Sequence, residues 1–421
     1  MYELRLRRLL RSSCVLFAAS LAAAAKEAPT PIGTQPFTDH RNPPSYRKLS
    51  DAESARYDLG MAVFNTQFVV AGTPNAGRRD GVGPLFNSAS CDACHNNGAH
   101  GRGPTEGGPA PAPLVIQLTT PGSSNPTDPD GDPVYGRVFN TVSLDGVPPE
   151  GTVTIHYEEA TGRYPDGTAW HLRVPHYSFA DLRYGALAPR TIVKPRLAPA
   201  LFGVGLLDAA DVVLRNQGRF GWQATAISVR DQTARAFARE MGLTSADMPH
   251  DDCTSAEIAC LQQPNGGSPE VSDDLFDAVL SFQRWLAVPP SPSPHPTPDV
   301  DFRTFAELGC TACHQPLMAV SRPRAIIAPY TDLRLHDLGT RLADSDVAGH
   351  KVSSKWRTAP LWGLGYRVSL ERFPTFLHDG RARSVEEAIL WHDGEAAGAR
   401  KKFEHLPATE RKAFVHWVET L

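Results

Sequence analysis

Two five-residue motifs carry the chemistry of this 421-residue chain: Cys91-Asp92-Ala93-Cys94-His95 and Cys310-Thr311-Ala312-Cys313-His314. Two thiols three positions apart, followed at once by a histidine, form the attachment signature of a c-type haem. The thiols add across the two vinyl groups, and the imidazole comes to lie beneath the iron as its proximal ligand. A zinc site would bring its Cys pairs close together and complete them with further ligands. Here the pairs stand far apart and each carries its own histidine. Two covalently bound haem c groups are therefore expected.

Several segments must position those motifs. The first residues read as a secretory leader over 1–25: Arg5, Arg7, Arg8 and Arg11 precede a short apolar core from Cys14 to Leu21, and Ala22-Ala23-Ala24-Ala25 offers a cleavage site. The apolar stretch is short for a membrane-spanning helix, and no later segment qualifies as one. Removing the leader makes the mature chain more acidic than the formal net charge of −4. That charge argues against nucleic-acid binding. Export to the periplasm fits the haem reading, because haem is attached covalently outside the bacterial cytoplasm. Of the seven cysteines, four belong to the motifs and Cys14 to the leader. Cys253 and Cys260 remain, an even pair in an oxidising compartment. A disulfide across their small loop is the natural reading, and two free thiols are the other.

Past the leader, residues 26–45 are Pro-rich. A helical stretch over 51–68 leads to the first motif. Short alternating runs at 114–118, 134–141, 151–157 and 169–174 are separated by Pro, Gly and Asp turns and read as β-hairpins, a β-rich insertion over about 114–190. Helical texture returns over 229–241 and 273–286. The run Val288-Pro289-Pro290-Ser291-Pro292-Ser293-Pro294-His295-Pro296 opens a stiff linker over 288–299. The second unit starts with a helix at 302–308 and ends with one at 408–421. The expected fold is mainly α: a haem domain over 26–287 carrying the insertion, and another over 300–421.

The two halves repeat. Arg196-Leu197-Ala198-Pro199-Ala200-Leu201-Phe202-Gly203 follows the first motif, and Arg357-Thr358-Ala359-Pro360-Leu361-Trp362-Gly363 follows the second. Farther on, Phe220-Gly221-Trp222 precedes Ser228-Val229-Arg230-Asp231-Gln232, and Phe376-Leu377-His378 precedes Ser384-Val385-Glu386-Glu387-Ala388. Ser384 is placed to cap a helix, with Glu387 at the capping-box position. That helix delivers His392 as the expected sixth ligand of the second iron. The same offset in the first half falls on Ala236, a methyl group. Met318 stands only four residues past His314 and is expected to pack, so His/Met ligation is not expected.

These stretches resemble the bacterial dihaem cytochrome c peroxidase/MauG superfamily, and more closely its branch of dihaem oxidoreductases, also described as thiol oxidoreductase-like. The resemblance covers about residues 46–421. It also rests on Gly83-Pro84-Leu85-Phe86-Asn87, Leu335-His336-Asp337-Leu338-Gly339 and Ile389-Leu390-Trp391-His392. It implies two cytochrome c-like domains in tandem, a reactive N-terminal haem, and a C-terminal haem that carries electrons. By position, Trp222 matches the tryptophan between the haems and Gln232 the distal-pocket glutamine. Glu240 is the nearest match for the distal acid, two residues short of the peroxidase spacing. MauG carries a Tyr where this chain has His392, so MauG's own reaction is not implied. The expected activity is reduction of hydrogen peroxide at the His95 haem. The electron donor would be a small redox protein or a quinone-linked carrier, and a homodimer is common in the superfamily.

Other residues enter at lower weight. His100, His156, His171 and His176 could each block the first iron at rest, and the sequence does not choose among them. His336 fits a family pattern and reads as structural. Asn125 to Asp132 sets side-chain oxygens at calcium-like spacing but lacks the closing glutamate of an EF-hand loop; a turn-rich acidic loop is the reading, leaving calcium unsupported. Cys253 and Cys260 lack the spacing and basic surroundings of reactive thiols, so nothing supports the thiol label. Three rival functions share the same residues: an electron-transfer protein with both irons six-coordinate, an oxygenase or oxidase of an organic substrate, and a haem-based redox sensor or binding module.

Overall fold

The computed structural model describes residues 31–421 apart from 40, 124, 126, 292–299 and 322. The expected leader and most of the expected linker lie outside the described residues. No described helix is long and apolar enough to cross a membrane.

In the first half, α1 (Asp51–Asn65) starts at a capping box. The Ser50 hydroxyl accepts from the Glu53 amide and the Glu53 carboxylate accepts from the Ser50 amide. Helix α2 (Val229–Glu240) is capped by Ser228 through the Asp231 amide. Helix α3 (Asp273–Trp285) presents a continuous apolar face. Helices α1 and α3 touch backbone to backbone at Gly60, where a Cβ would lie 1.9 Å from the Ala278 carbonyl oxygen. Only glycine permits that approach. Phe64, Phe237, Phe276 and Phe282 fill the core they enclose.

The second half repeats the plan with α4 (Val300–Leu308), α5 (Val385–Trp391) and α6 (Ala408–Val418). Phe305 of α4 meets Trp417 of α6 at 5.4 Å, as Phe64 of α1 meets Phe282 of α3 at 5.1 Å. The repeat holds in backbone detail. Gly203 and Gly363 both start short helices in the left-handed region, at φ 64° and 72°. Phe220 bridges Ala226 as Phe376 bridges Ala382. Ser228 and Ser384 then cap α2 and α5 in the same way, each accepting from the amide three residues on. The helices differ in length. α5 stops at Trp391, with His392 as its C-terminal cap, whereas α2 runs past Ala236 for another turn to Glu240.

The expectation of a mainly α chain is corrected: 26 % of the residues are helical and 21 % lie in strands, so the fold is mixed α/β. The hairpins expected at 114–190 are present. They are β1 (Leu114–Thr119), β2 (Val138–Phe139), β3 (Thr152–Arg163), β4 (Ala169–Ala180) and β5 (Ile192–Leu197). What the sequence reading missed is strand structure in the second half. There β6 (Asp344–Asp346) and β7 (Lys351–Ser353) join the insertion in one sheet of order β7-β6-β5-β1-β2. Three-residue strands are too short to show alternation, and their partner lies some 150 positions away.

The insertion also clasps the second half. Long β3 and β4 pair along their whole length. Leu172 and Tyr164 from this hairpin are buried in the second hydrophobic core. Tyr164 donates its hydroxyl proton to Glu386 at 2.7 Å, and Arg411 reaches Asp166 at 2.7 Å. Arg173 donates to the Gly380 and Arg381 carbonyls at 2.7 and 3.0 Å. In the opposite direction, Met318, Val320 and Ile327 from the second half pack in the first core. Met318 is thus a packing residue, as expected.

Candidate haem sites

Each Cys-x-x-Cys-His loop faces an aromatic side chain from the helix that precedes it. Phe64 of α1 stands 6.4 Å from the His95 ring, and Phe305 of α4 stands 6.5 Å from the His314 ring. Both imidazoles are oriented by main-chain carbonyls. His95 Nδ1 pairs with Pro199 O at 2.8 Å and His314 Nδ1 with Tyr330 O at 3.0 Å. That leaves each Nε2 free to ligate, with the tautomer set by the carbonyl. Burial pushes both pKa values down to about 4, so both rings are neutral near pH 7, the state a metal needs. Burial also pushes the Cys91, Cys94 and Cys310 thiols up to about 12. Thiols held protonated in this way are poor redox nucleophiles. Cys253 and Cys260 form the expected disulfide.

A cavity of about 310 Å3 opens against Cys91, Cys94 and His95. Phe64, Phe202, Leu207, Phe237 and Met241 give it apolar walls. Arg357 also faces it, buried, with Nη1 unpartnered. Burial alone pushes the Arg357 pKa down to about 10. A porphyrin is an apolar disc with carboxylates on one edge. Apolar walls, two thiols, a neutral imidazole and a guanidinium with one nitrogen unpartnered match it in chemistry.

The residues singled out for the distal side meet in the same cavity. Gln232, Ala236 and Glu240 follow each other at four-residue steps on one face of α2, and all three line the cavity. Glu240 Oε2 is buried with no hydrogen-bond partner. Burial pushes its pKa up to about 7, against the opposing pull of Arg239 and Asn87. The shortfall of two residues against the peroxidase spacing therefore does not take Glu240 out of the cavity.

The second site offers a histidine where the first has a methyl group. His392 Nδ1 pairs with its own helix at Ala388 O, 2.8 Å away, so Nε2 is free to ligate. It lies near enough to His314 for its charge to oppose protonation of that ring. His336 is tied between Asp332 and Glu395, each at 2.9 Å, and is structural, as expected.

Trp222 lies between the sites. It lines the first cavity and packs against the second hydrophobic core. Its indole N–H donates to Leu197 O at 2.7 Å. The His378 ring is 6.5 Å away, and His378 in turn stacks on Trp356 at 3.7 Å. Of the four histidines offered by the sequence as blocking ligands, His100 alone is buried in the cavity, 6.3 Å from Trp222. His156, His171 and His176 are exposed on β3 and β4.

The acidic loop is not arranged around a cation. The Asp128 carboxylate reaches Arg239 at 2.7 Å, and Asp132 accepts from the Val134 and Tyr135 amides at 2.8 and 3.1 Å. Among the described residues there is no group of three or more His, Cys, Asp or Glu able to hold a metal ion.

Sequence reasoning missed three features: Arg357 with its unpartnered Nη1, the His378–Trp356 stack, and the part of the cavity wall contributed by β1 and β5. A Trp-Arg pair opening a repeated segment was the available signal for the first. The others depend on pairings distant in sequence.

The chain belongs to the di-haem oxidoreductase family, described as "Di-haem oxidoreductase, putative peroxidase", which matches residues 29–112 and 198–421. No curated protein sequence matches the chain. Among solved structures, Kuenenia stuttgartiensis hydrazine synthase covers 94 % of this chain and 100 % of its own, at 12 % identity and a TM-score of 0.38. Those values are too low to transfer chemistry.

Proposed function

We propose that this chain is a periplasmic dihaem c-type oxidoreductase that reduces hydrogen peroxide at the first haem site, with electrons passed on from the second. The observation that carries this reading is the unequal use of one repeated helix. In the first half it presents Gln232, Ala236 and Glu240 to the cavity that holds His95. In the second it ends on His392 beside His314.

Reduction of one peroxide to two waters takes two electrons and two protons. A bound haem supplies the redox-active iron. The protein residues supply the rest. The unpartnered Glu240 Oε2 takes a proton from peroxide and returns it to the departing oxygen, as base and then acid. The Gln232 amide hydrogen-bonds the substrate oxygen. Ala236 offers a bound haem no ligating atom in the first cavity, whereas His392 Nε2 would be available to hold one in the second. Trp222, between the sites, shortens the electron path. The electron donor is proposed to be a small redox protein or a quinone-linked carrier.

The test is an electronic and EPR spectrum of the oxidised dihaem protein, with and without peroxide. The expected result is one high-spin and one low-spin iron, with only the high-spin signal changing on addition of peroxide. His392→Ala should turn the low-spin iron high-spin. Two low-spin irons inert to peroxide would establish a pure electron carrier instead, and a low-spin signal that survives His392→Ala would remove that ligand.

A further inference from the structure

The family match stops at residue 112 and resumes at 198, so the β-rich insertion lies outside it. Yet the insertion does not stand apart from the first haem site. In the β1–β5 pairing, Gln117 is opposite Lys194 and Val115 is opposite Arg196. Side chains alternate along a strand, so these four share one face. All four line the cavity that contains His95 and Glu240.

The arginines on this wall all have carboxylate partners. Asp128 meets Arg239 at 2.7 Å, Arg137 at 3.4 Å and Arg235 at 3.7 Å, while Arg235 also reaches Asp231 at 2.8 Å and Arg137 Asp252 at 3.8 Å. Asp344 is taken by Arg196 through two bonds of 2.8 and 2.7 Å, and also accepts from Gln223 at 2.8 Å. Lys194 is left over. Its amine makes no hydrogen bond or ion pair among the described residues. Burial and the neighbouring Arg196 push its pKa down to about 8. The Lys194 side chain is half-buried, and an anion entering the cavity would give its ammonium a direct partner. On this wall Lys194 is the cation without a direct carboxylate partner among the described residues, and across the cavity Arg357 Nη1 is also without a partner. Val115 beside it favours an organic body over a bare inorganic ion.

We propose that the insertion builds an anion-binding vestibule in front of the first haem site, with Lys194 as its principal contact, and that the ligand it takes besides peroxide is a small organic carboxylate. This rests on the cavity being the reactive haem site. A carboxylate arriving here would meet Lys194 while its body lies toward Glu240 and Ala236, so the insertion would set which ligands reach the distal pocket.

Calorimetric titration of the dihaem protein with benzoate, and with benzamide as its uncharged counterpart, reads binding without using turnover. Benzoate should bind roughly tenfold tighter or more, as a charge-assisted contact requires. Lys194→Gln should abolish that preference and Lys194→Arg should keep it. Benzoate that binds no tighter than benzamide, or not at all, overturns the proposal. So does a preference that survives Lys194→Gln. The competing partner for Lys194 is a propionate of the haem itself. In that case Lys194→Gln shifts the reduction potential of the first haem without any benzoate present, and benzoate shows no advantage. Peroxide reactivity is read separately by absorbance. If it is absent while benzoate binds, the vestibule stands and the peroxidase reading falls.

Discussion

Glu240→Gln is expected to lower kcat/KM for peroxide by about 10²–10⁴-fold, the usual contribution of a placed general acid–base group, while both haems stay attached and the resting spectrum is unchanged. The amide keeps the size and removes the proton chemistry. The expectation rests on a carboxyl whose Oε2 is buried and unpartnered, in the cavity that holds His95. A pH profile gives the sign. Burial pushes the Glu240 pKa up to about 7, and a base works only when ionised. The rate should therefore fall as pH drops through about 7 and level off above it. The variant should lose that limb. Initial rates across pH check both points, and a variant with wild-type turnover would remove Glu240 from the chemistry.

Asp344→Ala should destabilise the folded protein by about 3–5 kcal/mol, because it leaves a buried guanidinium without its counterion. Arg196 and Asp344 are 5 % and 1 % exposed. Their two hydrogen bonds join β5 of the first half to β6 of the second. The Arg196 guanidinium also lies over Trp356 at 4.8 Å, next to the His378 stack. Denaturant unfolding of the dihaem protein measures the loss. The double variant Arg196→Met, Asp344→Leu should recover most of it, since replacing both charges removes the unpaired one. If the single variant unfolds at the wild-type midpoint, the pair is not holding the two halves together.

The parts legible in the sequence were those with local causes. The Cys-x-x-Cys-His loops, the Ser228 and Ser384 caps and the offset that sets Ala236 against His392 all lie within short stretches, and the folded chain keeps each of them. Glu240 was legible only as a near match, because its place depends on α2 running a turn longer than α5. Strands β6 and β7 were not legible. Three residues carry no periodicity, and their register comes from β5, far earlier in the chain. The same distance hid Lys194. Its spacing on the strand says that it shares a face with Arg196, but only the pairing with β1 turns that face toward the cavity. The hairpin of β3 and β4 was seen and its role was not, because what it clasps lies in the other half.

The sheet shared between the halves has a consequence for how the chain tolerates cutting. A protease acting between Ser291 and Val300 would break the only direct covalent connection between the two halves. It would leave the β5–β6 ladder, the Arg196–Asp344 bonds and the Tyr164, Arg173 and Arg411 contacts of the clasp untouched. The two fragments should therefore co-elute on gel filtration and part only in denaturant. The covalent link between the halves then matters for bringing the two pieces together during folding. Once they have met, the spacing of the haem sites is set by the sheet.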